Sequence, residues 1–249
     1  MSQKIFNLIL LDESGSMSLI EKAAVGGINE TLQSIRQAQQ QHPDQEHFVT
    51  LISFHGGSYT VKYDRTPAAD TKDLERYYPS GSTPLFDAMG RSITDLKQHV
   101  TDDDAVLVTI ITDGEENSSV EYGGPAIKQM VSEMRERGWV FSYIGTNQDV
   151  DAVADQLGIR SRMQYDYSDA GMQEAMREER KQRMVMYNRM ANEGTGFFKN
   201  DPEYDYLGNG RKAPRPHRKD KPEDTTKNND KPTDSTERRS LWQRIFGLG

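Results

Sequence analysis

The stretch "LILLDESGSM", residues 8–17, places one acid and two hydroxyls at alternate positions directly after an apolar run. Side chains at every second position of an extended segment point the same way, so Asp12, Ser14 and Ser16 are expected to share one side. Their carboxylate and hydroxyl oxygens are the ligands that hard divalent cations such as Mg²⁺ or Mn²⁺ prefer. The sequence contains no cysteine, which excludes thiolate metal sites and cysteine nucleophiles. The chemistry that this stretch predicts is therefore the binding of a hard cation.

Two other segments supply oxygen donors that could join the first. Asp113 and Gly114 follow the apolar run "AVLVTIIT" (105–112), and Thr83 stands before Pro84 where a helix is predicted to begin. In open α/β sheets, ligands bind outside the carboxyl ends of the strands, so these segments are expected to meet at one edge. The predicted metal site consists of Asp12, Ser14, Ser16, Thr83 and Asp113.

The elements that must position these residues follow from the hydrophobic pattern. Near-continuous apolar runs predict strands covered on both faces at 5–11, 47–54, 105–112 and 139–145. A segment that alternates apolar and polar residues predicts an antiparallel edge strand at 59–66, and a last strand is expected near 163–167. Helices are predicted at 23–40, 85–100, 125–137, 150–157 and 170–190. This βα alternation predicts an α/β fold: a doubly wound, mostly parallel, Rossmann-like sheet with one antiparallel edge strand and helices on both faces.

Three helix starts carry capping signals. Ser18 and Glu21 have the spacing of a capping box. Thr83 offers a capping hydroxyl just before a first-turn proline, and Asp149 is expected to cap the helix at 150–157. Capping and metal ligation by Thr83 are compatible predictions.

Together, "DESGSM", "STPLFDAM" and "IITDGEENSS" resemble the metal-ion-dependent adhesion site of von Willebrand factor type A (vWA) domains. That pattern is Asp-x-Ser-x-Ser, then a Thr, then an Asp, and all three parts occur here in order within residues 5–167. The pieces "DESGSM", "TPLFDA" and "IGTNQD" are typical of the intracellular bacterial or phage-type branch. The resemblance implies a domain whose metal ion is completed by an acidic residue of a protein partner.

The resemblance also implies a role for each matched residue. Asp12 and Asp113 would hold the ion directly or through water, Ser14 and Ser16 would coordinate through their hydroxyls, and Thr83 would be a switchable hydroxyl ligand. Only two formal charges would face the ion, which leaves it electrophilic enough to favour a carboxylate from a partner. Three glutamates flank the matched residues without ligand spacing, and they are expected at most to tune the site: Glu13, Glu115 and Glu116.

Charge is distributed unevenly along the chain. Residues 211–249 hold 11 Lys and Arg against 6 Asp and Glu, a net charge of +5, which leaves −13 for residues 1–210. Phosphate repulsion makes so acidic a domain a poor nucleic-acid binder. No apolar run approaches the roughly 20 residues that span a bilayer. These features predict a soluble, cytoplasmic protein with no nucleic-acid ligand.

The chain is expected to divide into three parts: a vWA domain at 1–195, a transition and disordered linker at 196–239, and a short amphipathic motif at 240–249. The linker prediction rests on a stretch after Asn209 that lacks large apolar residues. The motif "SLWQRIFGLG" is expected to gather its apolar side chains on one helix face as a second partner contact, with docking on its own domain or on a membrane surface as alternatives. The residues of that contact are Leu241, Trp242, Ile245 and Phe246.

Two classes of function remain open from the residues. The first is a non-enzymatic, Mg²⁺-dependent protein-interaction module, which the resemblance places in a bacterial stress or defence complex. The alternative is a metal-dependent phosphohydrolase, because acids at the end of a first strand also hold Mg²⁺ in phosphatases of the haloacid-dehalogenase type. Such enzymes need a second Asp two residues after the nucleophile, and Ser14 occupies that position here.

Overall fold

The structure is a computed structural model, and it describes residues 2–146, 149–196, 198 and 204–208. Within these residues six strands form one sheet in the order β3-β2-β1-β4-β5-β6, and only β3 runs antiparallel to its neighbour. The strands are β1 (Gln3–Asp12), β2 (Gln45–His55), β3 (Ser58–Pro67), β4 (Ala105–Ile111), β5 (Val140–Gly145) and β6 (Ser161–Gln164). The predicted α/β fold, mostly parallel with one antiparallel edge strand, is confirmed.

Helices cover both faces of the sheet. On one face, α1 (Glu21–Gln41) and α5 (Asp169–Glu193) pack together over a core that includes Ile5, Ile9 and Ile111. On the other face lie α2 (Leu85–Lys97), α3 (Gly124–Glu136) and α4 (Val150–Leu157), over a core that includes Leu8 and Ile110. Alternate residues of β1 thus enter different cores, which is why the central strands are mainly apolar, with Asn7 and Thr109 as buried polar exceptions.

One helix start differs from its prediction. Residues Gly15–Ile20 form a 3₁₀ turn that runs directly into α1 at Glu21, and no side chain caps either helix. The capping box predicted for Ser18 and Glu21 is wrong, because the preceding turn already continues into the helix. The Asp149 cap is confirmed, since its side chain accepts a hydrogen bond from the Ala152 amide at 3.0 Å.

The folded domain extends beyond the predicted boundary at residue 195. Phe198, Tyr206 and Leu207 are buried in the core beneath α1 and α5. The Tyr206 hydroxyl lies 3.0 Å from Ser142 Oγ of β5 and donates to Glu179 Oε1 of α5 at 3.1 Å. The stretch "GTGFFKNDPEYDYLG" offers only scattered aromatic residues between polar ones, so no local pattern indicates that it joins the core.

Beneath α5 lies a buried ion pair that the sheet helps to hold. Glu179 and Arg183 are both fully buried, with Arg183 Nη2 2.5 Å from Glu179 Oε1. Arg183 Nη2 also donates to Thr109 Oγ1 at 2.6 Å, and its Nη1 donates to the Tyr187 hydroxyl at 3.2 Å. Buried charges require such partners, because an isolated ion in a low-dielectric interior is strongly destabilising.

None of the helices in the described part of the chain is long and apolar enough to cross a membrane. The predicted linker after Asn209 and the predicted contact of Leu241, Trp242, Ile245 and Phe246 lie outside the described residues.

Candidate functional site

The candidate site lies where the strand order reverses. β1 pairs with β2 on one side and with β4 on the other, so the crevice at the carboxyl ends of β1 and β4 is the topological switch point of the sheet. Asp12 is the last residue of β1, and Asp113 follows β4 by two residues. Parallel strands in a doubly wound sheet place ligand-binding groups at this edge. Both predicted carboxylates therefore lie at the expected place.

Asp12 is held rigidly at the end of β1. Its Oδ1 accepts a hydrogen bond from the Ser14 amide at 2.8 Å, and its Oδ2 accepts one from Thr112 Oγ1 at 2.7 Å. The Tyr77 hydroxyl donates to the Asp12 carbonyl at 2.5 Å. Burial raises the pKa of the Asp12 carboxyl to about 6, although the hydrogen bonds from Thr112 and Ser14 oppose the increase. A buried carboxylate with a raised pKa is stabilised by a nearby cation.

Ser14, Ser16 and Asp113 form one chain of contacts. Ser14 Oγ lies 3.1 Å from Ser16 Oγ, and Ser16 Oγ donates to Asp113 Oδ1 at 2.7 Å. Asp113 Oδ2 is buried and makes no hydrogen bond to a described residue. Burial also raises the pKa of the Asp113 carboxyl, and interactions with the hydroxyls of Ser16 and Tyr167 oppose the increase. Ser14 and Asp113 are buried whereas Ser16 is exposed, so this chain of oxygens leads from the interior to solvent.

Thr83 reaches the same place from the loop before α2. A Cβ added to Gly114 would lie 3.6 Å from both Thr83 Oγ1 and Ser16 Oγ, so both hydroxyls border the same glycine. Thr83 is 2% exposed, and its hydrogen bonds with Asn117 are made by its backbone amide and carbonyl, not by its hydroxyl. All five predicted residues are thus brought to one edge of the sheet.

The predicted capping role of Thr83 is wrong. α2 begins at Leu85 after Pro84, without a cap from its own N-terminal side chains. Instead, Glu116 Oε2 accepts from the Phe86 amide at 2.8 Å, and Ser119 Oγ accepts from the Asp87 amide at 3.0 Å. The loop after β4 therefore satisfies the first turn of α2, which leaves the Thr83 hydroxyl available to a ligand.

The Thr83 segment is fixed by contacts on two sides. Asn117 holds it from the β4 loop, since the Thr83 amide donates to Asn117 Oδ1 at 2.9 Å and the Asn117 amide donates to the Thr83 carbonyl at 3.1 Å. From the other side, the Gly56 amide donates to the Ser82 carbonyl at 2.7 Å. A Cβ at Gly56 would lie 2.1 Å from Ser82 Oγ, so only glycine permits this approach. Gly81 has φ +69°, a left-handed conformation that glycine adopts without strain.

The residues at this edge fit a hard cation. Among the described residues no Lys, Arg or His forms an ion pair with Asp12 or Asp113, although both carboxylates are fully buried. Uncompensated buried charge is unfavourable, and a dication with oxygen ligands would offset it. In that same part of the chain, no group of three or more His, Asp or Glu side chains is placed to hold a metal. The oxygen donors that the structure brings to this edge are two carboxylates and the hydroxyls of Ser14, Ser16 and Thr83.

Sequence reasoning missed the residues that support the site. Thr112 donates a hydrogen bond to the Asp12 carboxylate, although in the sequence it looks only like the polar end of an apolar strand. Asn117 accepts a hydrogen bond from the Thr83 amide, although in the sequence it looks only like part of a polar turn. Glu13 and Glu116 flank the site as expected and act through the backbone: Glu13 Oε1 accepts from the Tyr78 amide at 2.6 Å. Asn147 and Gln148, which follow β5, lie outside the described residues.

Comparison with known proteins identifies the fold. No protein-family model and no curated protein matches the sequence. Among solved structures, the pilus adhesin SpaC of Lactobacillus rhamnosus GG in an open conformation is 16% identical with a TM-score of 0.55, over 75% of this chain and 30% of that protein. A von Willebrand factor type A protein from Catenulispora acidiphila is 16% identical with a TM-score of 0.50, over 74% of this chain and 43% of that one. Proximal thread matrix protein 1 of the mussel byssus is 15% identical with a TM-score of 0.50, over 74% of this chain and 46% of that protein.

The chain spans less than half the length of these three proteins. At such low identity the likeness shows the fold alone, which is vWA-like.

Proposed function

We propose that this chain is a non-enzymatic, metal-dependent protein-interaction module. In this proposal Asp12, Ser14, Ser16, Thr83 and Asp113 hold Mg²⁺ or Mn²⁺ at the carboxyl edge of the sheet. A bound dication would supply an electrophilic position that the carboxylate of a protein partner completes. The resemblance in sequence adds the setting, a bacterial stress or defence assembly.

The observation that carries the proposal is a set of oxygen atoms at the carboxyl edge of the sheet that is not fully hydrogen-bonded. Asp113 Oδ2 is buried without a hydrogen-bond partner among the described residues. Thr83 bonds to Asn117 through its backbone alone, and Ser16 is exposed beside them. Buried polar atoms without partners are uncommon in folded proteins and often mark a place where an ion or ligand binds. The vWA-like fold also supports a role in protein interaction, since one structural neighbour is described as a pilus adhesin.

The acidity of the domain argues for the ion as the link to an acidic partner. Residues 1–210 carry a net charge of −13, so a free carboxylate would be repelled from this surface. With the ion bound, one local position would attract it. Partner binding should therefore require both the metal and a partner Asp or Glu.

Thermal unfolding of the full chain with Mg²⁺, Mn²⁺ or a chelator tests the metal site. A ligand that binds only the native state raises the melting temperature by mass action, so each metal should raise it in the wild type. The Ser14→Ala/Ser16→Ala variant should lose this rise. The matched control is Ser58→Ala/Thr60→Val, which removes another hydroxyl pair, 3.0 Å apart on β3, and should keep the rise. Equal rises in all three proteins would overturn the proposal.

A phosphatase assay distinguishes the proposed interaction module from the alternative, a metal-dependent phosphohydrolase. With Mg²⁺ and an aryl phosphate, the wild type should release no phosphate above the rate of the Asp12→Ala variant. Turnover that depends on Asp12 would replace the interaction module with a metal-dependent phosphohydrolase.

A further inference from the structure

Beside the candidate metal site lies a pocket of about 320 Å³. It opens between the β2–β3 turn, the first turns of α2 and the loop after β4. Its apolar lining comes from Phe54, Tyr59, Pro84, Ala88 and Val120. The volume is near the lower end of the roughly 300–1,000 Å³ typical of small-ligand pockets, which suits a single large side chain.

The pocket and the metal site share their walls. Pro84 directly follows Thr83, and Ser118, which also lines the pocket, directly follows Asn117. Because Asn117 is hydrogen-bonded to Thr83 in both directions, the same loops form the candidate ligand set and the pocket rim. A chain segment bound at the ion would therefore continue over the pocket.

The charged groups in the pocket are already satisfied. Arg91 forms two hydrogen bonds with Glu121, Nε to Oε2 at 2.7 Å and Nη2 to Oε1 at 2.5 Å, and its guanidinium lies 5.7 Å from the centroid of the Tyr59 ring. Asp87 accepts the amides of Val120, Glu121 and Tyr122 at 2.9–3.0 Å. Neither group needs a charged partner. Ser118 Oγ also lines the pocket and is buried without a partner among the described residues, but it is an uncharged hydroxyl. The complement of this pocket is therefore a side chain with a large apolar part and not a second acid.

Three exposed apolar residues lie on the chain segments that carry the candidate ligands. The large apolar side chains exposed within the described residues are Leu19, Val61, Tyr78, Val120 and Val185, and three of these five lie on the segments that carry the candidate ligands. Leu19 follows Ser16 in the first segment, Tyr78 precedes Thr83 in the second, and Val120 follows Asp113 in the third. Val120, 88% exposed, stands at the pocket rim. Apolar groups concentrated beside a polar site are typical of protein-interaction surfaces.

We propose that this pocket binds an apolar side chain of the partner segment whose carboxylate completes the metal site, with Val120 as a specificity-determining residue. This inference rests on the function proposed above and adds the chemistry of the partner: an acid with a large aliphatic or aromatic residue close to it in sequence. The ion provides the attraction for the acid, and the pocket selects among acidic segments.

Two libraries of displayed random peptides test the inference, one with a fixed central Asp and one with a fixed central Asn, selected on the full chain with Mg²⁺. The Asp library should yield binders released by chelator, with a large apolar residue at a constant spacing from the Asp. For such a peptide, Val120→Ser should weaken binding about tenfold, as expected when one apolar contact is lost. The control Val185→Ser changes the same residue type on α5, 60% exposed, and should leave binding unchanged. Val120 is so exposed that its substitution should not alter the melting temperature.

The outcomes separate the two proposals. Binders that need Mg²⁺ and the Asp, but show no apolar preference and bind Val120→Ser as well as the wild type, would overturn this inference alone. Binders that come equally from the Asn library or survive chelator would overturn the proposed function and, with it, this inference.

Discussion

Thr83 and Asn117 are joined by two reciprocal hydrogen bonds. The Thr83 amide donates to the Asn117 side chain at 2.9 Å, and the Asn117 amide donates to the Thr83 carbonyl at 3.1 Å. This pair connects the loop before α2 with the loop after β4, so the Thr83 hydroxyl and the Asp113 carboxylate are held in a fixed relation. Asn117 is thus a positioning residue that contributes no ligand itself.

Asn117→Ala should weaken Mn²⁺ or Mg²⁺ binding about tenfold or more, since loss of a residue that orients a metal ligand typically costs ~10–100-fold in affinity. Isothermal titration calorimetry measures the change. The matched control is Asn29→Ala, because Asn29 holds Leu74 by a similar reciprocal pair, at 2.6 and 3.2 Å, in a part of the loop further from Thr83. Each variant should lose about 1 kcal/mol of stability. Equal metal affinities in the two would show that Asn117 does not position Thr83.

Gly56→Ala should destabilise the domain by about 1–3 kcal/mol, the usual cost of forcing extra volume into a packed contact. The added Cβ would lie 2.1 Å from Ser82 Oγ and 3.0 Å from the Ser82 amide, so the β2–β3 turn must move away from the Thr83 segment. Metal affinity should fall together with stability. Gly26→Ala is the control: nothing lies within 4 Å of its added Cβ, so this helical site should gain about 0.5–1 kcal/mol. Urea titration measures the stability of both variants. A Gly56→Ala protein as stable as the wild type would contradict the prediction.

His47 should make the domain less stable as the pH falls. Burial, together with the charges of nearby His42 and Arg183, lowers the pKa of His47 from 6.5 to about 3. Its Nδ1 has no hydrogen-bond partner among the described residues. Between about pH 3 and pH 6.5 the unfolded chain therefore binds a proton at His47 that the folded chain does not bind. The contribution of His47 to the free energy of unfolding is complete above pH 6.5 and is lost as the pH falls towards about 3. The loss is about 1.4 kcal/mol per pH unit.

Unfolding of His47→Phe by urea at several pH values checks this contribution. The ring can still meet Tyr187, whose centroid lies 4.7 Å from that of His47, but it cannot titrate. The free energy of unfolding should therefore fall less steeply below pH 6.5 in the variant than in the wild type. Asp12 contributes with the opposite sign when no cation is bound, because its raised pKa favours the folded state at lower pH. Parallel pH profiles in the two proteins would show that His47 can be protonated in the folded state.

Tyr206→Phe should cost about 1–3 kcal/mol, because it removes the hydroxyl that contacts Ser142 and the buried carboxylate of Glu179. The matched control is Tyr78→Phe, on a tyrosine that is 70% exposed, and it should leave stability unchanged.

Truncation after Gly208 should preserve the melting temperature, whereas truncation after Gly194 removes Phe198, Tyr206 and Leu207 from the core and should lower it sharply. Similar melting temperatures for the two truncations would place the domain boundary at 195 after all.

Most of the fold could be predicted from the sequence because local hydrophobic and capping patterns determine its strands and helices. Between two helical layers, β1 is apolar except at its ends and at Asn7, and β4 is apolar except at Thr109. The helix at 150–157 begins at a recognisable Asp149 cap. The placement of Asp12 and Asp113 followed from the general geometry of parallel sheets.

What could not be predicted depends on contacts between distant segments. α2 is capped by Glu116 and Ser119, about 30 residues further along the chain, and no local signal distinguishes this arrangement from capping by Thr83. Tyr206 likewise belongs to the core only because the polar groups of Ser142 and Glu179 lie buried at that point. Short-range patterns do not contain such tertiary pairings.

The contact of Tyr206 with Ser142 and Glu179 also bears on the order in which the newly made protein matures. A ribosome synthesises all six strands before it reaches residue 206, so the residues of the sheet are made before the group that completes its interior. During that interval the buried carboxylate of Glu179 has Arg183 but lacks the tyrosine hydroxyl. Nascent chains halted before residue 206 should therefore be the forms that chaperones and proteases recognise.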